Sequence, residues 1–227
     1  MELKPIRCFA DFCDDLMLAG FTPASDSGGV FSLSDWFGNE IQWHTEQPDT
    51  DPWEWRMRVL EERDDIAYGK FFWKKGGYIT REWMPAFLAV RQPKELDSAY
   101  RDGEIGSSAK RIYDVLRENG PQPLHLLRIQ AGFGKKEEKS RFERGLVELQ
   151  MRLDVTICGS WQKVSGSGTP YGWNATVLCT MADYFGHEVI REAKHLTPEQ
   201  AEKLLRERLW ELNPAADEKK RKRFLFR

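Results

Sequence analysis

Five cations, Lys135, Lys136, Lys139, Arg141 and Arg144, crowd one short stretch of the chain, and Lys163 follows a little further on. Ammonium and guanidinium groups at that density suit the phosphates of a polynucleotide, whose counterions they displace. Glu137, Glu138, Glu143 and Glu148 are interleaved with them, so a solvated face laced with i, i+4 ion pairs is the competing reading. A second group is aromatic: Trp53, Trp55, Tyr68, Phe71, Phe72, Trp73, Tyr78 and Trp83, with Arg56, Arg58 and Lys70 among them. Flat rings beside cations can stack an extruded base, and Trp53, Trp55, Arg56, Tyr68 and Lys70 would form such a pocket. The same stretch also suits a small hydrophobic core, with Trp53 and Phe72 at the periodic positions a core requires.

Acid–base chemistry has thinner support. Glu61-Glu62 and Asp64-Asp65 are adjacent pairs at a helix end, and sequence neighbours point in different directions on a helix, so neither pair is automatically a dyad. Gln42, His44, Asp64 and Asp65 are the weak catalytic candidates, and His44 and His125 lack an evident Ser, Cys or carboxylate partner. No Gly-x-Ser-x-Gly, P-loop or His-Glu-x-x-His occurs. Cys8, Cys13, Cys158 and Cys179 contain no Cys-x-x-Cys and the histidines stand apart, so no zinc site, other cofactor or disulfide framework is expected. Cys158 and Cys179 are expected to face each other as small hydrophobes.

The elements that would carry the cations form a winged helix-turn-helix. Residues 108–119 are amphipathic, with Ile112, Tyr113 and Leu116 on one face and Gly120-Pro121 as a stop. A second helix spans 124–131, Gly132-Phe133-Gly134 provides the turn, and a third helix spans 136–150. In the third, Phe142, Leu146 and Leu149 fall at i, i+4 and i+7, which leaves Lys139, Arg141 and Arg144 outside. The period then changes from 3.6 to 2: residues 155–158 and 173–179 flank Ser165-Gly-Ser-Gly168, a hairpin tip and hence a wing. In such a module the third helix enters the major groove, and Lys163 would reach phosphate from the wing.

Upstream, residues 9–19 read as a helix with Phe9, Phe12, Cys13, Leu16 and Met17 on one side, closed by Gly20. Residues 28–33 and 40–44 read as two short strands. Asp51 and Pro52 sit where an N-cap and first helical residue belong, ahead of a helix over 53–62 on which Trp53, Met57 and Leu60 share a face. Residues 66–73 fit a buried strand and a short helix about equally, and 78–91 read as an extended entry, a Thr80 cap and a helix with Pro85 in its first turns. A short helix and linker over 92–106 is the expected boundary. Downstream, 182–194 reads as helical, and the capping box Thr197-Pro-Glu-Gln200 opens a helix to about 212 with Ala201, Leu204, Leu205 and Leu209 as its buried side. Residues 217–227 read as a solvated tail, with a phosphate-contacting arm as the other reading. The expected fold class is α+β: tandem winged helix-turn-helix modules with short β-hairpin wings. The division is an N-terminal α+β domain over 1–106, readable as a divergent winged helix, a winged helix-turn-helix domain over 107–185, and C-terminal helices with a basic tail over 186–227.

Apolar residues make up 41% and charged residues 31% of the 227, which excludes a disordered chain. No apolar run reaches membrane length and residues 1–7 lack the apolar centre of a secretory signal, so a cytoplasmic location without membrane contact is expected. The net charge of −2 hides an asymmetry: residues 1–66 carry 15 acidic against 5 basic groups, the remainder 21 against 29. Polynucleotide affinity follows local basic surface, so double-stranded DNA is the expected partner, while a near-neutral total argues against non-specific coating. The acidic first part suits a protein partner. A protein-interaction or transcription-regulatory module without enzymatic activity is therefore the alternative.

The order of elements from Asp51 to about Phe185 resembles the AlkZ-type, YcaQ-like winged-helix DNA glycosylases, and the chain looks most like the shorter AlkZ-related proteins. The residues that carry this are Trp53-Glu-Trp-Arg-Met-Arg58, Ile66-Ala-Tyr-Gly-Lys-Phe-Phe72 leading into Glu82-Trp-Met-Pro-Ala-Phe-Leu88, Arg144-Gly-Leu-Val-Glu-Leu-Gln150, and the strand pair near Tyr171-Gly-Trp173. The resemblance implies a stack of winged helices around damaged DNA and hydrolysis of the N-glycosidic bond of an alkylated or crosslinked base. Those enzymes use a Gln-x-Gln pair to position water. Here no two glutamines stand two apart, so no catalytic residue carries over from the family.

Overall fold

The computed structural model describes residues 4–25, 28–162, 167–170, 172 and 174–226; Lys163, Ser165, Gly166, Tyr171 and Trp173, all singled out above, lie outside the described residues. The strands are β1 (Phe21–Pro23), β2 (Ile66–Phe72), β3 (Lys75–Thr80), β4 (Gln122–Pro123), β5 (Val155–Trp161) and β6 (Ala175–Thr180). The longer helices are α1 (Phe9–Ala19), α2 (Pro52–Glu62), α3 (Met84–Arg91), α4 (Leu96–Arg101), α5 (Ser107–Asn119), α6 (Leu124–Gln130), α7 (Lys139–Met151), α8 (Met181–Phe185), α9 (His187–Lys194), α10 (Pro198–Leu212) and α11 (Glu218–Phe226). All six strands join one sheet of order β1-β3-β2-β5-β6-β4, every neighbouring pair antiparallel. The class is α+β.

That strand order reads the same from both ends. In the first half α1, β1, α2, β2 and β3 come in this order, with β3 between β1 and β2 in the sheet; in the second α5, β4, α7, β5 and β6 do so, with α6 inserted after β4 and with β6 between β4 and β5 in the sheet. The halves meet where Tyr68 of β2 pairs with Ile157 of β5. By this equivalence α2 corresponds to α7. The second half follows its apolar periodicity: Ile112 and Leu116 on α5 and Phe142, Leu146 and Leu149 on α7 are buried together. A Cβ on Gly145 would lie 2.8 Å from the backbone nitrogen of Ala109, so glycine lets α7 cross α5 at backbone contact. The ambiguous stretch 66–73 is strand. Tyr68, Phe71 and Phe72 are all buried, and a central strand covered on both faces loses the alternation that identifies edge strands.

Six expectations need correction. Residues 28–33 and 40–44 are not strands: Gly28 and Gly29 take φ of 67° and 86°, Leu33–Trp36 is a 3-10 turn, and the Leu33 amide donates to Thr22 Oγ1 instead of a ladder. On α2 the buried face is Trp55 and Val59, while Trp53 is 44% exposed. The cap of α3 is Trp83, not Thr80. Gly186, at φ 83°, splits 182–194 into α8 and α9. On α10 Leu204 is exposed and Leu212 takes its place in the core.

The largest correction concerns the C-terminus. Residues 218–226 are not a solvated tail but α11, whose Phe224 and Leu225 are buried in the N-terminal core. Phe224 stacks on Phe72 at 4.6 Å between ring centroids. The residue that fastens it is Arg91, buried at the end of α3. Its Nη1 donates to the carbonyls of Phe71 (2.6 Å) and Met151 (3.2 Å), its Nε to Leu225 (2.8 Å) and its Nη2 to Phe224 (3.2 Å). Met151, Phe224 and Leu225 stand in the last turns of α7 and α11, where carbonyls lack helical donors, and Phe71 lies at the irregularity in the β2–β3 pairing. One guanidinium therefore satisfies the loose carbonyls of three elements. Burial pushes its pKa down to about 9, which still leaves it charged at neutral pH.

Arg91→Met leaves those carbonyls buried without donors, and we expect a loss of about 3–5 kcal/mol in urea unfolding. Limited trypsinolysis at the basic stretch 219–223 should accelerate in parallel. Unchanged stability with an unchanged cleavage pattern would show that α11 is held by its apolar contacts alone.

Candidate functional site

The sequence halves enclose a groove of about 1690 Å³ between α7 and the β2–β3 hairpin, reaching α6 and the base of the β5–β6 hairpin. α7 contributes Lys139, Ser140, Glu143, Arg144 and Val147 along one face, β2 contributes Tyr68 and Lys70, and Lys74 follows from the β2–β3 turn. Arg56 enters from α2 and Arg128 from α6. Gln150 ties the walls together: buried on α7, it accepts the Lys70 amide proton at 2.8 Å through Oε1.

Charge decides what such a groove attracts. Eight Lys or Arg side chains line it against three Glu. Two of those acids already have partners, Glu104 with Lys94 at 2.6 Å and Glu143 with Lys139 at 3.7 Å. Arg56, Lys70, Lys74, Arg128 and Arg144 have no carboxylate within ion-pair distance among the described residues. Cations left uncompensated on the walls of a cleft focus positive potential into it. The arrangement can hold a polyanion.

The structure gathers Lys139, Arg144, Arg56, Tyr68 and Lys70 on this one groove. It does not bring in the others. Lys136 and Arg141 are exposed but outside it. Trp55 is fully enclosed against Phe9, Phe12 and Phe37, so its faces are closed to any ligand. Trp53 stands outside the groove with the Arg56 guanidinium 3.3 Å above its ring. Tyr68 lies beneath; burial raises its pKa, partly offset by a hydrogen bond from Arg56.

Of the residues weighed for catalysis, His125 lines the groove, whereas Gln42, His44, Asp64 and Asp65 do not. Gln42 and His44 sit in an exposed loop, Asp64 is exposed, and Asp65 is held by Arg63 through two hydrogen bonds of 2.8 and 2.6 Å. Burial raises Asp154 to about 6, but it pairs with Arg152 and also stands outside the lining. Cys158 and Cys179 are free thiols in contact across β5 and β6. No group of three or more His, Cys, Asp or Glu among the described residues could hold a metal ion.

Residues 42–51 escaped sequence reasoning. Asp51 is the N-cap of α2, as its position before Pro52 suggested, but its buried carboxylate does more: it accepts the amides of Trp53 (2.8 Å), Thr45 (2.8 Å) and Glu46 (3.1 Å). That clasp holds His44 and Glu46 in the left-handed region, at φ of 62° and 60°. Desolvation opposes ionisation of Asp51, yet these donors outweigh it and keep its pKa below the usual value. A run of turn formers, Gln47 to Pro52, was the available signal.

A family model described as AlkZ related matches residues 6–226. The chain belongs to the AlkZ-related family. No curated protein and no solved structure matches it. The match takes in both halves of this AlkZ-related chain and the C-terminal helices, further than the span from Asp51 to Phe185 on which the resemblance was drawn. No helix among its described residues is long and apolar enough to cross a membrane.

Asp51→Ala should cost about 2–4 kcal/mol at pH 7, because it removes a cap and leaves two further amides without an acceptor. A depressed carboxyl contributes stability above its unfolded pKa and loses it as the pH falls through its folded one. The stability gap between Asp51→Ala and the parent protein should therefore narrow below pH 4. A gap independent of pH would mean that the charge of Asp51 contributes nothing.

Proposed function

We propose that this chain binds double-stranded DNA in the groove between α7 and β2, as a tandem winged-helix protein. The observation that carries the reading is the row of uncompensated cations, Arg56, Lys70, Lys74, Arg128 and Arg144, along one concave surface. The second half supports it through topology: the order α5, β4, α6, α7, β5, β6 is that of a winged helix, with α7 in the recognition position and β5–β6 as the wing. The mirrored order of the first half supports a second, divergent module, and the units 1–106, 107–185 and 186–227 remain our working division. Membership of the AlkZ-related family favours a role beside damaged DNA. The missing Gln-x-Gln pair limits the proposal to binding.

The test is the salt dependence of duplex affinity. Each phosphate contact contributes close to one unit to the slope of log K against log salt. Lys139→Ala with Arg144→Ala should lower that slope by about two units, whereas Arg141→Ala, outside the groove lining, should leave it unchanged. An unaltered slope in the double variant would take the duplex off α7, and no retention of duplex even at low salt would favour a protein-interaction module.

A further inference from the structure

Three aromatic rings stand in a row at the α2 end of the groove. The centroids of Trp43 and His44 are 6.3 Å apart and those of His44 and Trp53 5.0 Å, and the Arg56 guanidinium closes the row over Trp53. Arg56 is also a wall of the groove, beside Tyr68. The row is thus continuous with the cationic surface. Trp43 and Trp53 are 41% and 44% exposed, a large apolar area left in water by a protein that fully buries Trp55 one turn face away.

The display is built, not incidental. Asp51 holds the loop through its amide clasp, and His44 and Glu46 sit in a backbone region that residues with a Cβ avoid. Such strain persists only where surrounding structure imposes it, and it concentrates at functional positions. Arg56 is fixed too, its Nε donating to the Trp53 carbonyl at 2.7 Å. The pseudo-symmetry sharpens the contrast between halves. The first turns of α7 offer Lys139 and Arg144 to the groove, whereas the equivalent turns of α2 offer Arg56 to it and hold Trp53 just outside, under the Arg56 guanidinium. One end is equipped for phosphate, the other for a flat ring.

Resting on the polynucleotide reading above, we propose that Trp43, His44 and Trp53 form a stacking site for an unpaired nucleobase, so that the chain prefers DNA carrying an extruded or single-stranded base. A base within an intact duplex has both faces covered by its neighbours, and only an unpaired one offers a face to an aromatic ring. The phosphates flanking such a base would fall to Arg56 and Lys70.

The experiment compares three DNAs of equal length: an intact duplex, the duplex with one bulged 2-aminopurine, and a single strand containing 2-aminopurine. The bulged duplex should bind about tenfold more tightly than the intact one, the order expected for one stacked base, with its 2-aminopurine emission quenched. Trp43→Ala with Trp53→Ala should abolish preference and quenching and leave intact-duplex affinity within about twofold; Trp43→Phe with Trp53→Phe should retain both. Equal binding of bulged and intact duplex by the unaltered protein, with emission unchanged, overturns the stacking site and leaves the groove reading standing. Absence of salt-dependent binding to all three DNAs overturns both.

Discussion

A buried guanidinium with no carboxylate partner among the described residues is an expensive thing to fold around, and this protein folds around Arg91. Removing such an ion from water costs several kcal/mol, and four carbonyls from the ends of α7 and α11 and from the irregular part of β2 offset it. Each of those carbonyls would itself be unsatisfied without Arg91. The debt is mutual, so the elements are bound to one another rather than to a single rigid frame. Because Arg91 and Gln150 both anchor α7 against β2, the width of the groove is a property of these two side chains.

The palindromic sheet explains why there is a groove at all. Two ribbons of three strands meet edge to edge through a single pairing at Tyr68 and Ile157, and each carries its own helix across the junction side. Where α2 and α7 flank the seam, a concave surface is left that neither half has alone. The first half brings Arg56, Tyr68 and Lys70, the second Lys139 and Arg144. The acidic character of residues 1–66 does not reach this surface: Arg56 is its contribution, while Asp64 and Asp65 lie elsewhere.

Much of this was legible in the residues, for physical reasons that vary by element. α1, α5 and α7 bury one face each, so their 3.6-residue apolar period reads directly. The cations of α7 and the pair Arg56 and Lys70 were recognisable by type, but nothing in the spacing of positions so far apart in the chain could reveal that they share a wall. β2 was ambiguous because it is covered on both faces. Residues 28–33 imitated strands because short apolar runs beside glycines suit both a ladder and a loop that packs over an edge. Trp53 and Trp55 exchanged roles through a shift of helical phase: the face turned inward is set by Trp55 meeting Phe12 at 4.9 Å, a contact between distant segments. α11 hid behind its charge. Five consecutive cations outweigh Phe224 and Leu225 in any average, although those are the two side chains the helix buries.

The position of α11 also orders events in time. Phe21 and Phe72, early in the chain, have Phe224 as a ring neighbour at 5.8 and 4.6 Å, so the core of the first half is completed by residues synthesised long after it. Local pieces such as the α5–α7 unit can close while synthesis continues, but β1, β3 and α3 must wait with apolar surface uncovered until α11 arrives. The first half is therefore exposed to misassociation until α11 has been made.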